Sequence, residues 1–149
     1  MRLYLDTSVI GGYFDSEFQE WTVPFVESIL SKKHVAVISD LTIREVQDAR
    51  KEVIDLLNKL IERNCELITG NESTENLAQL YIKEGALGSR FYVDASHIAI
   101  ATYFTVSAVI SWNFKHIVNL NRIRLFNSVN LKYGYGIIEI RSPREITAK

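Results

Sequence analysis

The stretch Arg2-Leu3-Tyr4-Leu5-Asp6-Thr7-Ser8-Val9-Ile10 decides the fold. Leu3, Tyr4 and Leu5 are the residue types of a buried strand. The run ends abruptly in a carboxylate, followed by two hydroxyl side chains and a new apolar pair. In an open α/β sheet, ligands bind outside the carboxyl ends of the strands, so an acid placed there points into the active crevice. An unpaired buried charge is strongly unfavourable, so Asp6 needs a partner. Two partners fit: a metal ion, or the N–H groups of the next helix, capped by Thr7 or Ser8. In the plainer reading Asp6 is a structural acid that simply caps that helix.

Outward from this stretch, strand and helix patterns alternate without repeats or an obvious linker. Val35–Ser39 reads as a second buried strand, 66–69 as a third, 107–111 as a fourth and 137–140 as a fifth. Helices are expected over 17–32, with Pro24 as a kink near its first turns, and from about 40–42 on the capping-box spacing Thr42-Ile-Arg-Glu45. Further helices are expected over 51–63, whose Val53, Ile54, Leu57, Leu60 and Ile61 fall at i, i+3, i+4 spacing, and over 73–84. The Ala-rich 92–104 and the polar 113–131 complete the set. The fold class this implies is α/β: a three-layer α/β/α domain with a mainly parallel sheet of about five strands.

The 149 residues suit a single domain, 1–149, long enough to bury a sizeable core. A 47% hydrophobic and 11% aromatic composition with two prolines argues against disorder. No apolar run approaches the ~20 residues needed to span a bilayer, and no basic stretch followed by a long apolar run opens the sequence. The single Cys65 excludes an intramolecular disulfide and suits a reducing, cytoplasmic setting. The net charge of −1 hides an asymmetry: residues 1–112 carry ten Lys/Arg against sixteen Asp/Glu, and residues 113–149 carry seven against two. Such a balance presents a positive surface to a phosphate backbone and gathers acids elsewhere to hold cations.

Three acids recur at equivalent places. Asp6 ends strand one, Glu45 is expected in the first turns of the helix after strand two, and Asp94 opens the Ala-rich helix, where the helix dipole favours it. The fourth place, in Ser111-Trp112-Asn113-Phe114, holds an amide. Acids converging on one sheet edge repel one another unless cations neutralise them, and Mg²⁺ or Mn²⁺ prefers oxygen ligands of this kind. There is no zinc-spaced Cys/His cluster, GxGxxG or P-loop.

This ordered set resembles the PIN domain family of metal-dependent ribonucleases, which includes the VapC-type toxins of toxin–antitoxin pairs. Leu-Tyr-Leu-Asp6-Thr-Ser-Val is similar to the family's first acidic motif, and Ser39-Asp40-Leu-Thr-Ile-Arg-Glu45 to the second. Asp94-Ala-Ser-His-Ile-Ala-Ile-Ala-Thr is similar to the third, and Ser111-Trp-Asn113-Phe stands at the fourth, with Asn where the family usually has Asp. The resemblance implies catalytic and metal-ligating roles for Asp6, Glu45, Asp94 and Asn113, with Asn113 a neutral outer ligand or water positioner. It implies Mg²⁺ or Mn²⁺ as cofactor, RNA as substrate, a small antitoxin protein as partner, and a homodimer. Thr7 or Ser8, together with Ser111, would orient carboxylates or a phosphate oxygen. Lys115, Arg122, Arg124 and Lys132 would meet phosphates.

Other residues have plainer readings. Asp48, three residues after Glu45, is a rival ligand. His97 reads as a packed or rim residue, Lys115 and His116 as solvent-exposed, and Trp21 and Trp112 as core. A haloacid-dehalogenase-type phosphatase also opens on an apolar strand ending in Asp, but needs a second Asp two positions on, where this chain has Ser8. A receiver-like domain lacks its acid pair beside Asp6. The alternative that Asn113 keeps open is a catalytically weak or inactive PIN-like module that binds RNA or a protein.

Overall fold

A computed structural model describes residues 1–147. The elements run β1 (Arg2–Leu5), α1 (Thr7–Gly12), α2 (Gln19–Leu30), β2 (Val35–Ser39), α3 (Asp40–Val46), α4 (Lys51–Arg63), β3 (Cys65–Ile68) and α5 (Glu72–Lys83). After a 3-10 turn at Ser89–Phe91 come α6 (Tyr92–Tyr103), β4 (Ala108–Ile110), α7 (Leu120–Lys132), β5 (Ile140–Arg141) and α8 (Pro143–Thr147).

The five strands form one parallel sheet in the order β3-β2-β1-β4-β5. The chain winds outward from β1 to β3, then crosses back to set β4 on the other side of β1. The carboxyl ends of β1 and β4 therefore flank the point where the winding reverses, which is where open α/β sheets bind ligands. Alternation along β1 sends Leu3 and Leu5 to one face and Tyr4 to the other. The first face packs Val9 of α1, Phe25 and Ile29 of α2, and Leu57 and Leu60 of α4. The second packs Leu77 and Tyr81 of α5, Ile98 of α6 and Phe126 of α7. The three-layer α/β/α architecture expected from the alternation is the one observed.

The differences from the sequence reading are local, and each has a cause. The Thr42–Glu45 capping box does not form. Ser39 caps α3 instead, accepting from the Thr42 N–H at 3.2 Å, while the Thr42 hydroxyl donates to the Leu5 carbonyl at 3.1 Å. The helix expected from 113 starts only at Leu120, because Asn119 caps it by accepting from the Asn121 and Arg122 N–H groups. Pairing in β5 begins at Ile140 and not at 137, since the Asn127 side chain takes both backbone groups of Ile138, at 2.8 and 3.1 Å. Helix α8 was not expected. Its signature is nonetheless present in Ser142-Pro-Arg-Glu145: Pro opens the helix, and Ser142 and Glu145 bond each other's backbone N–H.

Gly12 is a point of close approach, because Trp112 crosses α1 there and donates from Nε1 to the Thr22 hydroxyl at 2.8 Å. A Cβ on Gly12 would stand 2.9 Å from the Trp112 ring and 3.1 Å from that hydroxyl. Gly12→Ala should destabilise the protein by roughly 1–3 kcal/mol through overpacking. Gly11→Ala, whose Cβ meets nothing within 4 Å, should leave stability unchanged or raise it by up to ~1 kcal/mol through helix propensity. Urea unfolding of both variants checks the contrast.

Candidate active site

Asp6 is 4% exposed and is itself the N-cap of α1, as in the reading of it as a structural acid, and neither Thr7 nor Ser8 takes that place. Its Oδ1 accepts from the Ser8 hydroxyl at 2.6 Å and the Val9 N–H at 3.3 Å, and its Oδ2 from the Ser111 hydroxyl at 2.5 Å. The same two serines accept backbone N–H groups from the segment after β4: Trp112 to Ser8 at 2.9 Å, and Asn113 to Ser111 at 3.0 Å. The ends of β1 and β4 are thus stitched together through one carboxylate. Burial pushes Asp6 above the usual carboxylate range, and the nearby His97 ring and the two serine hydroxyls pull it only part of the way back.

Glu45 lies in the last turn of the seven-residue α3, not in the first turns expected for it. A helix C-terminus disfavours a carboxylate, so this acid depends on its neighbours. Its Oε1 accepts from the Thr7 hydroxyl at 2.7 Å and lies 2.6 Å from His97 Nε2. Burial pushes Glu45 upward, but these two hydrogen bonds together with the attraction of His97 and Arg44 hold the carboxyl below its usual range. Asp94 sits in the first turn of α6, as expected. Burial raises its pKa, and the charge of Glu45 adds to the rise.

Asn113 reaches this group through its nitrogen. Its Nδ2 faces Asp94 Oδ2 at 3.4 Å, and its Oδ1 accepts from the His116 N–H at 3.0 Å, which fixes the amide orientation. Asp6, Glu45 and Asn113 are thus held at the carboxyl edge of the sheet through Thr7, Ser8, Ser111 and His97, and Asp94 meets them through Asn113. Among the described residues, no group of three or more His, Cys, Asp or Glu side chains converges closely enough to close around a metal ion. The donors are nonetheless hard oxygens, and neither Glu45 Oε2 nor Asp94 Oδ1 has a hydrogen-bond partner among the described residues. Such an open set fits an ion that keeps waters and takes its remaining ligands from substrate phosphate.

The other sequence-predicted residues divide. Asp48 falls in the turn beyond α3, exposed. Trp112 is core, stacked on Phe18 at 4.6 Å between ring centroids, whereas Trp21 is half-buried beneath the Arg144 guanidinium of α8. Lys115 is exposed as expected, but His116 is not: its ring stacks on Phe91 at 3.7 Å and its Nδ1 is buried without a partner among the described residues. Of the expected phosphate contacts, Arg122 donates to the Ala86 carbonyl at 2.9 Å and Lys132 pairs with Glu84 at 2.9 Å. Arg124 is exposed without an ion pair among the described residues. A cavity of about 310 Å³ opens between α3, α6 and the start of α5, so it shares two helices with Glu45 and Asp94.

No family model matches the chain, and no curated protein matches it. Its fold is shared with solved structures at low identity. A chain of VapBC2 from Rickettsia felis, determined bound to a DNA fragment from its promoter, is 12% identical with a TM-score of 0.60, over 95% of this chain and 98% of that one. FitAcB from Neisseria gonorrhoeae is 16% identical with a TM-score of 0.58, over 95% and 97% of the two chains. Mycobacterium tuberculosis VapC20, described as a sarcin-ricin loop cleaving toxin, is 11% identical with a TM-score of 0.57, over 76% and 92%. The chain has a PIN-like fold of the VapC type.

Two outcomes follow from the geometry. Asp6 has a raised pKa in the folded state, so its ionisation opposes folding as pH rises above the unfolded value of about 4. Without divalent cations, the melting temperature of wild type relative to Asp6→Asn should therefore fall as pH rises from about 3 to 7, whatever the gap at pH 3, where the carboxyl is protonated in both states. A difference that stays constant, or that moves in favour of wild type with rising pH, contradicts this. Arg122→Ala should lose roughly 1 kcal/mol with its carbonyl hydrogen bond, and Arg124→Ala should change stability by less than about 0.5 kcal/mol in the same unfolding assay.

Proposed function

We propose that this chain is a metal-dependent endoribonuclease that hydrolyses RNA phosphodiester bonds, the toxin of a toxin–antitoxin pair. The observation that carries the reading is the set of three carboxylates, Asp6 at the switch point of the sheet with Glu45 on α3 and Asp94 on α6, the latter two each with an unengaged oxygen. When bound, Mg²⁺ or Mn²⁺ would supply the Lewis acidity that activates water for in-line attack and offsets charge on phosphorus. Asp6, Glu45 and Asp94 would hold the ion. Ser8 and Ser111 fix the carboxylate plane of Asp6, and Thr7 fixes that of Glu45. Asn113 turns Asp94 through a neutral amide donor, which leaves the site one negative charge short of four acids. Lys115 and Arg124 are the exposed cations suited to phosphate, and the cavity beside α3 and α6 leaves room for a flanking nucleotide. Partners in this reading are RNA, a small antitoxin protein and a second copy of the chain, acting in the cytoplasm. The antitoxin is supported by the two-component names VapBC2 and FitAcB among the structural neighbours.

A second reading, a PIN-like module that binds without cleaving, is favoured by the unconverged acids and by the amide nitrogen that Asn113 turns toward Asp94. One assay separates the two: purified protein incubated with a panel of single-stranded and looped RNAs in Mg²⁺ or Mn²⁺. Slow cleavage is expected, abolished in Asp6→Ala and Asp94→Ala, and Asn113→Asp should raise Mn²⁺ affinity by restoring the missing charge. Lys115→Ala with Arg124→Ala should weaken RNA binding and flatten its salt dependence, with Mn²⁺ affinity unchanged. RNA left intact in both metals, with tight binding of a small partner protein, establishes the module instead.

A further inference from the structure

The geometry points to His97 as the residue that positions Glu45 for cation and phosphate, an inference that rests on the nuclease reading. His97 is 2% exposed, and both its ring nitrogens are engaged. Nε2 lies 2.6 Å from Glu45 Oε1, and Nδ1 lies 2.6 Å from the Tyr4 hydroxyl. Tyr4 in turn lies 2.7 Å from the Ser39 hydroxyl, which caps α3, the helix that carries Glu45.

The donors and acceptors of this chain can be ordered. With Nε2–H directed at Glu45, a neutral ring leaves Nδ1 to accept from the Tyr4 hydroxyl, and a charged ring donates from Nδ1 to the Tyr4 oxygen; in both cases the Tyr4 hydroxyl also meets the Ser39 hydroxyl. A carboxylate only accepts, so the proton toward Glu45 sits on Nε2 whether the ring is neutral or charged. Glu45 Oε1 is therefore gripped from two sides, by Thr7 of α1 and His97 of α6, and the carboxylate plane is set with Oε2 turned away from both. Every anchor of His97 is part of the sheet or of a packed helix, so the grip is rigid. An apolar side chain would fill the same space on the Ala-rich α6 without demanding polar partners for two ring nitrogens, and a carboxylate at a helix C-terminus needs an outside donor. The histidine answers that need. Groups that hold ligating carboxylates in this way typically change metal affinity or activity roughly 10–100-fold when removed.

The test uses the position of the donor atom. In Gln the amide nitrogen stands where Nε2 stood, and in Asn where Nδ1 stood. Mn²⁺ binding is read from the free-ion electron paramagnetic resonance signal, alongside circular dichroism, melting temperature and kcat on RNA. We expect His97→Asn to lose roughly 10–100-fold in Mn²⁺ affinity and kcat, and His97→Gln to recover most of both. A double variant with Glu45→Gln should be no weaker than Glu45→Gln alone. If both His97 variants fold and bind Mn²⁺ as wild type does, or if both weaken equally, the positioning role is overturned. Where neither folds, Tyr4→Phe decides: removing the hydroxyl that orients the ring should lower Mn²⁺ affinity, and unchanged affinity overturns the role. A wild-type protein that takes up no Mn²⁺ overturns the nuclease reading and this inference with it.

Discussion

The rest of the structure depends on the burial of one carboxylate, Asp6, between the ends of β1 and β4. It caps α1 and receives the hydroxyls of Ser8 and Ser111, and those serines in turn receive the N–H groups of Trp112 and Asn113. A buried acid of this kind keeps its charge only with several donors, and these donors come from both halves of the sheet. The interaction that closes the winding of the chain at its centre is thus also the interaction that sets an acid at the switch point. Replacing Asp6 with an apolar residue would leave two serine hydroxyls and the first turn of α1 without their acceptor.

The other two acids are held less deeply, and their environments oppose each other. Glu45 is gripped by Thr7 and His97 and held below the usual carboxylate range, whereas Asp6 and Asp94 are raised by burial. Two acids strained by burial next to one pinned in its ionised form make a site whose electrostatic stress a cation would relieve. The fold carries this stress because the two apolar layers, packed on opposite faces of a fully parallel sheet, supply the stability that the edge does not.

Where apolar spacing or strand hydrophobicity governs the chain, the sequence alone is legible. Strand β2 over Val35–Ser39 and helix α4 over Lys51–Arg63 fall where the pattern places them, and Asp6, Asp94 and Asn113 stand at the ends of the expected elements. Side chains that bond the backbone are less legible, because several Ser, Thr and Asn residues compete for each N–H. Ser39 displaces Thr42 as the cap of α3, Asn119 delays α7, and Asn127 takes the backbone of Ile138 out of β5. Helix α8 carries its own signal, the capping-box pattern Ser142-Pro-Arg-Glu145. Long-range partners were beyond reach. Nothing local in the sequence joins His97 to Glu45, 52 residues away, or Arg122 to the Ala86 carbonyl, and only the folded sheet edge shows that one basic residue is structural while its neighbour Arg124 faces solvent.

Under the proposed function, this edge would hold a divalent cation shared between protein carboxylates and an RNA phosphate. The most direct test is anomalous diffraction at the manganese edge from crystals of the protein grown with Mn²⁺ and an RNA resistant to hydrolysis. An anomalous peak is expected within coordinating distance of Asp6, Glu45 or Asp94 oxygens and of a phosphate oxygen. A map with RNA bound but no manganese at that edge, or with manganese only elsewhere on the surface, would contradict it.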